Sequence, residues 1–279
     1  MKPIKFIPVL GGGEFASAIA FYLWKAHLPT VMVISEDEIH LRRPVCFAEA
    51  TKTGQKQIEN ATAVLINPDH LASYQEESSS KKWRKAIQFH HENNSIPLFL
   101  LEELPEFLEI LKPDILIQTI GFGKYNFVID AAPLVIGLYP FHQPGTDCHV
   151  CVETRLNHWL GSMYHHLPPE HPEIDLHLFR KIFNEVNSPL EGVFVATKEI
   201  GQEIEVNESL GSIQNIEIRS PYNGQVWGLV HSGKIVFPKQ PLALIYDGKS
   251  DREFTQFDFR HRVVAGAVMR EIFHFQGNF

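Results

Sequence analysis

The stretch KFIPVLGGGEFASAIAFYLWKAHLPTVMVI, residues 5–34, predicts the fold of the first half of the chain. Lys5–Leu10 is a short apolar strand, Glu14–Ala26 carries apolar residues at helical spacing, and Thr30–Ile34 is a second strand. The alternation continues with strands at Ala61–Asn67, Ile96–Leu100 and Asp114–Ile120, helices within Asp69–Asn93 and at Leu104–Leu111, and an apolar segment at Val128–Leu138. It indicates an α/β fold with a parallel sheet covered by helices on both faces.

The turn after the first strand has the spacing G-x-G-x-x-A. Gly11, Gly12 and Gly13 permit a tight turn and the close approach of a ligand, and the following helix offers unpaired N–H groups to an anion. Glu36 stands just after the second strand, where an acid that binds a ribose would stand. The alternative is a Gly-rich turn that binds no nucleotide. Glu14, at the start of the helix, favours this alternative because its negative charge would lie where a phosphate would sit.

A pair of arginines follows the second strand. Arg42 and Arg43 could hold a phosphate or a carboxylate bidentately. The alternative is a solvated turn, since charged side chains are mostly exposed.

The centre of the chain, Ala131–Gly161, is dense in residues that carry chemistry, with the run Asp147-Cys148-His149 and, further on, Glu153 and His158. Three interpretations remain open for it. The C-x-x-C pair Cys148 and Cys151 could bind a metal with help from the histidines and the glutamate, although in a strand the two cysteines would point to opposite faces. The cysteines could pack as small apolar residues, or Cys148 could act as a single sulfur nucleophile tuned by its neighbours.

The last third of the chain contains an internal repeat with an offset of 32 residues. Ser188–Gly192 matches Ser220–Gly224, Gly201–Ile204 matches Gly233–Val236, and Leu210–Ile213 matches Leu242–Ile245. Each unit consists of short strands joined by glycine turns and could not bury a core alone, so we expect the two units to interleave.

This pattern resembles the barrel-sandwich hybrid fold of biotinyl and lipoyl carrier domains, without their Met-Lys hairpin, so we expect no prosthetic group. The segment from Asp258 to Phe273 fits an amphipathic helix that covers a core. We expect a sheet domain at residues 1–165, a linker with a short helix within Asp175–Phe183 at 166–187, the β-repeat domain at 188–257 and a terminal helix at 258–279.

Composition restricts the function classes. The net charge of −8 without a basic block argues against nucleic-acid binding, and three cysteines in 279 residues do not form a disulfide scaffold. The longest apolar stretch is too short for a membrane span and the N-terminus lacks a signal-peptide pattern, so we expect a cytoplasmic protein.

Four segments together resemble a known bacterial family: Leu10–Ala16, Arg42–Ala50, Ala132–Leu138 and Asp147–Thr154. On these motifs the chain is identified as a divergent member of the selenium-dependent molybdenum hydroxylase system proteins, relatives of the xanthine dehydrogenase accessory factors. The resemblance implies a Rossmann-like domain followed by a β-rich domain, and a role in maturing the molybdenum cofactor of a hydroxylase partner.

The resemblance also implies site residues and a ligand. Gly11, Gly12, Gly13, Glu36, Arg42, Arg43 and His158 would bind molybdopterin or a nucleotide, and Asp147, Cys148, His149 and Glu153 would sit at the reacting centre. The family's Gly-Pro-Gly-Phe loop is replaced here by Tyr139–His142, which would block or reshape an anion nest. Two alternatives follow: a non-catalytic scaffold that docks a partner enzyme, and a zinc protein using the cysteines, His158 and the His-rich segment Tyr164–Glu173.

Overall fold

The computed structural model describes residues 4–36, 38–67, 71, 78–100, 108–109, 111–119, 129–167, 183–248 and 254–277. The chain divides into two compact units. The larger unit comprises Met1–Glu36, Cys46–Ile174 and Phe257–Phe279, and the smaller comprises Asp37–Val45 and Asp175–Gln256. The terminal helix therefore belongs to the first unit, while a short segment after the second strand belongs to the β-rich unit. The domain boundaries expected from the sequence stay a prediction.

The described part of the larger unit contains a nine-stranded sheet. Its strands are β1 (Ile7–Leu10), β2 (Thr30–Ile34), β3 (Gln55–Ile58), β4 (Ala61–Leu65), β5 (Ile96–Leu100), β6 (Ile115–Gln118), β7 (Leu134–Tyr139), β8 (Val150–Glu153) and β9 (Met163–Tyr164). Their order across the sheet is β3-β4-β5-β2-β1-β6-β7-β8-β9. The seven central strands are parallel, while β3 and β9 pair antiparallel with β4 and β8 at the two edges.

Four α-helices are described: α1 (Glu14–Lys25), α2 (Ala50–Thr53), α3 (Ser79–Glu92) and α4 (Phe259–Gly277). Central strands such as β1 and β2 are buried along their whole length, as expected of parallel strands covered on both faces. Trp83 of α3 stacks on Phe99 of β5, with ring centroids 5.1 Å apart. Phe257, just before α4, packs on Phe21 of α1 at 5.5 Å.

The smaller unit confirms the internal repeat. The first copy supplies β10 (Asn184–Asn187), β11 (Gly192–Ala196), β12 (Glu203–Ile204) and β13 (Ser209–Ile213), and the second supplies β14 (Ile216–Arg219), β15 (Gly224–Leu229), β16 (Ile235–Val236) and β17 (Pro241–Tyr246). One sheet has the order β10-β17-β15-β12 and the other β14-β13-β11-β16, so each sheet takes two strands from each copy. The predicted interleaving is therefore confirmed.

Matching positions of the two copies have the same local geometry. Ser188 and Ser220 are both buried, and each hydroxyl donates to the carbonyl two residues ahead, at 2.6 and 2.7 Å. Gly201 and Gly233 both have positive φ, at 96° and 91°, a conformation that L side chains rarely adopt. The repeat thus preserves the turns as well as the strands.

The expected fold class, a Rossmann-like parallel sheet domain followed by a barrel-sandwich-hybrid-like domain, is wrong. The large sheet is mixed, with antiparallel pairs at both edges, and the β-rich unit is described as two separate four-stranded antiparallel sheets. Strand β3 is not predicted from the sequence because its residues QKQI form a polar edge strand without apolar alternation. The helix predicted at Asp175–Phe183 lies almost entirely outside the described residues. Most of the helix predicted at Leu104–Leu111 and the end of the His-rich segment Tyr164–Glu173 also lie outside them.

Candidate functional site

The carboxyl ends of the parallel strands gather several of the predicted residues at one edge of the large sheet. Strands β2 to β5 lie on one side of β1, and strands β6 to β9 lie on its other side. The strand order therefore reverses between the neighbouring strands β1 and β6. In open α/β sheets, ligands bind outside the carboxyl ends of the strands near such a reversal. The glycine turn follows β1 directly, and Tyr139 and Glu153 end β7 and β8 on the same side of the reversal.

The glycine turn is explained by packing within its own unit. A Cβ on Gly12 would lie 2.5 Å from Cβ of Ala48, so only glycine fits there. The Ser17 hydroxyl donates to the carbonyl of Gly12 and accepts from the backbone N–H of Phe47. Gly11 and Gly13 flank this contact, and Gly11 has a φ of 116°. These contacts account for the glycine motif without a nucleotide.

An ion cluster lies at the start of α1, where a phosphate would have been expected. The buried imidazole of His261 lies 3.1 Å from a carboxylate oxygen of Glu14 and 3.0 Å from one of Asp258. Burial disfavours the charged imidazole, but the two carboxylates outweigh burial and raise the pKa of His261. Burial also opposes ionisation of Asp258, yet His261 and Arg260 hold its pKa below its ordinary value.

The paired arginines have partners inside the smaller unit. The Arg42 side chain is fully buried, and its guanidinium lies 5.3 Å from the ring centroid of Phe183 and 5.5 Å from that of Trp227. Arg43 donates from Nε to the carbonyl of Leu229 at 2.8 Å. Neither arginine lies in the solvated turn that was the alternative expectation. Arg42 packs against aromatic rings from far along the chain, and Arg43 is hydrogen-bonded to the carbonyl of Leu229.

Glu36 is exposed two residues after the end of β2, and His158 is exposed beside Trp159. Among the described residues, no group of three or more His, Cys, Asp or Glu side chains is arranged to hold a metal ion. None of the described helices is both long and apolar enough to cross a membrane. The ligand roles given to Glu36 and His158 stay predictions.

Glu153, at the end of β8, is the centre of a buried charge cluster that none of the sequence motifs indicates. Its side chain is fully buried, and both its oxygens accept from Arg155, Oε1 from Nε at 3.0 Å and Oε2 from Nη2 at 2.7 Å. Glu153 accepts two further hydrogen bonds. The backbone N–H of Arg155 donates to Oε1 at 2.9 Å, and the hydroxyl of Tyr164 donates to Oε2 at 3.3 Å. A fully buried carboxylate is thus neutralised by one guanidinium in a bidentate pair.

Arg155 itself faces outward. Its side chain is 45% exposed, and its guanidinium lies 4.8 Å from the ring centroid of Tyr139. Burial and the nearby Glu153 raise the pKa of Tyr164 to about 12, so its hydroxyl stays a proton donor at neutral pH. Of the described groups, none makes a hydrogen bond to Nη1 of Arg155.

The loop between β7 and β8 contains Asp147 and two histidines in structural contacts. Asp147 accepts from the backbone N–H of Gln143 at 2.8 Å and lies 3.2 Å from Nδ1 of the buried His142. His149 accepts a hydrogen bond through Nδ1 from the backbone N–H of Val135. His149 therefore ties the loop to β7, while the Asp147 carboxylate makes its contacts within the loop itself.

Cys148 and Cys151 are brought together, against the expectation that they point to opposite faces. Their sulfurs are 3.2 Å apart, and both residues are fully buried. The expectation failed because β8 begins only at Val150, so Cys148 is not part of the strand. Cys151, burial and Asp147 together raise the pKa of Cys148 far above its ordinary value, which opposes the thiolate that a nucleophile requires.

Comparisons with known proteins give one distant relative by sequence. No family model matches the chain. The chain is 26% identical over 275 residues to the uncharacterized protein YqeB of Escherichia coli K12, a match that covers 96% of this chain and 47% of YqeB. The chain therefore spans about half the length of this curated relative.

Two solved structures are similar at low level. The succinylglutamate desuccinylase/aspartoacylase of Rhodobacter sphaeroides is 11% identical with a TM-score of 0.26, and the match covers 89% of this chain and 87% of that one. The product-bound ectoine utilization protein EutE (DoeB) of Ruegeria pomeroyi is 12% identical with a TM-score of 0.25, covering 87% and 85%. Likenesses this weak carry no argument about the activity of this chain.

The comparisons contradict the identification as a selenium-dependent molybdenum hydroxylase system protein. No family model matches the chain, and the curated relative is described only as uncharacterized. The identification, the cofactor-maturation role, and the phosphate-bearing ligand at the glycine turn are therefore wrong. The packing of Gly12 and the ion pair of Glu14 agree with this correction.

Proposed function

We propose that the protein binds a small organic carboxylate at the carboxyl edge of the large sheet, with Arg155 as the anchor. The observation that carries the proposal is the geometry of Arg155, whose guanidinium is fixed on one side by Glu153 and lies over Tyr139 while the side chain remains 45% exposed. A cation held in one orientation loses little conformational entropy when it binds a ligand.

The guanidinium retains donors for a ligand. It carries five N–H groups in a plane, and the pair with Glu153 uses one on Nε and one on Nη2. The second N–H of Nη2 and one N–H of Nη1 form another fork along the adjacent edge of the same plane. This fork matches the two oxygens of a carboxylate.

Charge favours a monoanion. Glu153 already neutralises Arg155, and the chain as a whole carries a net charge of −8. A phosphate dianion would bring a second negative charge close to the buried Glu153 carboxylate, and like charges at short distance repel each other. A carboxylate can form the same bidentate contact with Arg155 while carrying a single negative charge instead of two.

Aromatic side chains at the same edge can receive the organic part of the ligand. Tyr139 is the last residue of β7, and its ring packs edge-to-face on that of Tyr164, with an interplanar angle of 77° and centroids 5.6 Å apart. Phe141, two residues further on, is 65% exposed. An exposed phenylalanine after a sheet strand favours a ligand with an apolar body over a small inorganic anion.

Isothermal titration calorimetry with benzoate, acetate, benzamide and inorganic phosphate tests the proposal on the full chain. We expect benzoate to bind more tightly than acetate, and benzamide and phosphate to bind weakly or not at all. Arg155→Lys keeps a positive charge beside Glu153 but replaces the fork by a single ammonium. We expect it to weaken benzoate binding by about tenfold or more, since a hydrogen bond to a charged group contributes about 1.5–3 kcal/mol.

Arg219→Lys is the matched control. Arg219 is 54% exposed and pairs with Glu217, two residues away, as Arg155 pairs with Glu153. We expect this variant to bind benzoate as the parent does. The proposal is refuted if the parent binds none of the carboxylates, or if Arg155→Lys binds benzoate as tightly as the parent does.

A further inference from the structure

The buried dithiol of Cys148 and Cys151 has no role in the proposed carboxylate site. Both residues are fully buried, with sulfurs 3.2 Å apart, and Cys151 also donates to the carbonyl of His142 at 3.2 Å. Cys46, the third cysteine of the chain, is buried as a free thiol. The pair is therefore two reduced thiols in contact, which is the arrangement that precedes a disulfide.

The surroundings hold these sulfurs near each other. A Cβ on Gly137 of β7 would lie 3.0 Å from Sγ of Cys148 and 2.4 Å from Cβ of His142, so the loop fits closely on the strand only because residue 137 is glycine. The side-chain amide of Gln118 donates to the carbonyl of Asp147 at 2.9 Å, next to Cys148. The loop is thus held by close contacts at the first cysteine and at the residues before it.

We propose that Cys148 and Cys151 form a redox pair that closes to an intramolecular disulfide when a low-molecular-weight disulfide such as oxidised glutathione reacts with the protein. The sulfurs need to approach by only about 1 Å to reach the S–S distance of about 2.05 Å. This site goes beyond the carboxylate site and does not depend on it.

The exchange proceeds in two balanced steps. The thiolate of one cysteine attacks a sulfur of oxidised glutathione, forms a mixed disulfide and releases one glutathione thiolate. The second cysteine, as its thiolate, attacks the cysteine sulfur of that mixed disulfide and expels the second glutathione. The protein loses two electrons and two protons, and the reagent becomes two molecules of glutathione.

Burial sets the rate of this reaction. Cys148 has a raised pKa, and neither sulfur is exposed, so the attacking thiolate forms when the loop between β7 and β8 opens. We expect oxidation to be slow in the folded protein and faster at higher pH. Once the first mixed disulfide forms, closure is fast because the second sulfur is already adjacent.

Intact-protein mass spectrometry after incubation of the folded chain with oxidised glutathione tests the proposal. We expect the parent to lose the mass of two hydrogens, and a protease digest to contain a peptide with Cys148 linked to Cys151. Cys46→Ser should behave like the parent. Cys148→Ser and Cys151→Ser should not lose the two hydrogens, and each should retain a glutathione adduct on the remaining cysteine of the pair.

Cys148→Ala and Cys151→Ala serve as second variants if a serine in the core prevents folding. The proposal is overturned if the parent keeps three titratable thiols after prolonged incubation. It is equally overturned if the parent accumulates a stable glutathione adduct at Cys148 or Cys151, or if its disulfide contains Cys46.

Discussion

Gly137→Ala is a sharp test of how the central loop packs on the sheet. The added Cβ would lie 2.4 Å from Cβ of His142, 2.9 Å from its Cγ and 3.0 Å from Sγ of Cys148. Cβ of His142 is attached directly to the backbone, so it cannot rotate away, and the loop itself has to move by about 1 Å to restore van der Waals contact. His142 is also buried and lies 3.2 Å from Asp147, so the shift would disturb that contact.

The size of the effect follows from two opposing contributions. Overpacking a well-packed core costs about 1–3 kcal/mol, while replacing glycine by alanine within a strand returns about 0.5–1 kcal/mol of conformational entropy, which leaves a net loss of up to about 2.5 kcal/mol. Urea denaturation followed by circular dichroism measures this loss as a lower midpoint. The displaced loop should also make Cys148 react faster with a thiol reagent in the folded protein.

Gly266→Ala provides the matched control. Gly266 lies within α4, is exposed, and a Cβ there would meet nothing within 4 Å. Because alanine is the better helix former, we expect this variant to be more stable than the parent by up to about 1 kcal/mol. The packing argument is refuted if Gly137→Ala has the same midpoint and thiol reactivity as the parent, or is stabilised as Gly266→Ala is.

Two further predictions concern the start of α1. Gly12→Ala should lower the free energy of unfolding by about 1–3 kcal/mol in urea denaturation, because its Cβ would lie 2.5 Å from Cβ of Ala48, and an unchanged midpoint would contradict the packing explanation of the glycine turn. Because Glu14 and Asp258 raise the pKa of His261, its ion pairs stabilise the fold fully below pH of about 6.5 and lose that contribution as pH rises through the folded-state pKa. His261→Gln should therefore flatten the decline of the denaturation midpoint between slightly acidic and alkaline pH, and an unaltered decline would show that another group causes it.

Much of the architecture could be predicted from local pattern. The strand Thr30–Ile34 and the strand Ile96–Leu100 have the bounds that apolar runs predicted, since buried parallel strands read as continuous apolar segments. Both copies of the β repeat could be recognised from residues that match at an offset of 32. The match persists because turns with a positive φ require glycine, as at Gly201 and Gly233. These features depend on a few neighbouring residues, so the sequence alone is informative.

The site depended on contacts that no local pattern encodes. The two edge strands that make the sheet mixed are short or polar, and β3 carries only QKQI. Glu153 was selected for its chemistry, yet its partner Tyr164 lies on the next strand and joins only through the antiparallel pairing of β8 and β9. Arg42 was expected at an anion site, but Phe183 and Trp227 bury it through cation–π contacts.

The glutamate–arginine pair offers one sequence signal that could have been used. Glu153 and Arg155 are two residues apart, just after the short apolar run Val150–Val152, and a carboxylate there needs a cation if that run is a buried strand. The resemblance drew attention instead to Cys148 and His149, whose contacts in the structure hold the loop. A buried charge and its counter-ion are therefore better guides here than a motif string.

Calorimetric titration of benzoate into the parent and into Arg155→Lys tests the carboxylate site most directly. We expect saturable binding to the parent and an affinity weaker by about tenfold or more in the variant, with both proteins equally folded by circular dichroism. Equal affinity in the two proteins, or no binding of benzoate and acetate to the parent, would contradict it.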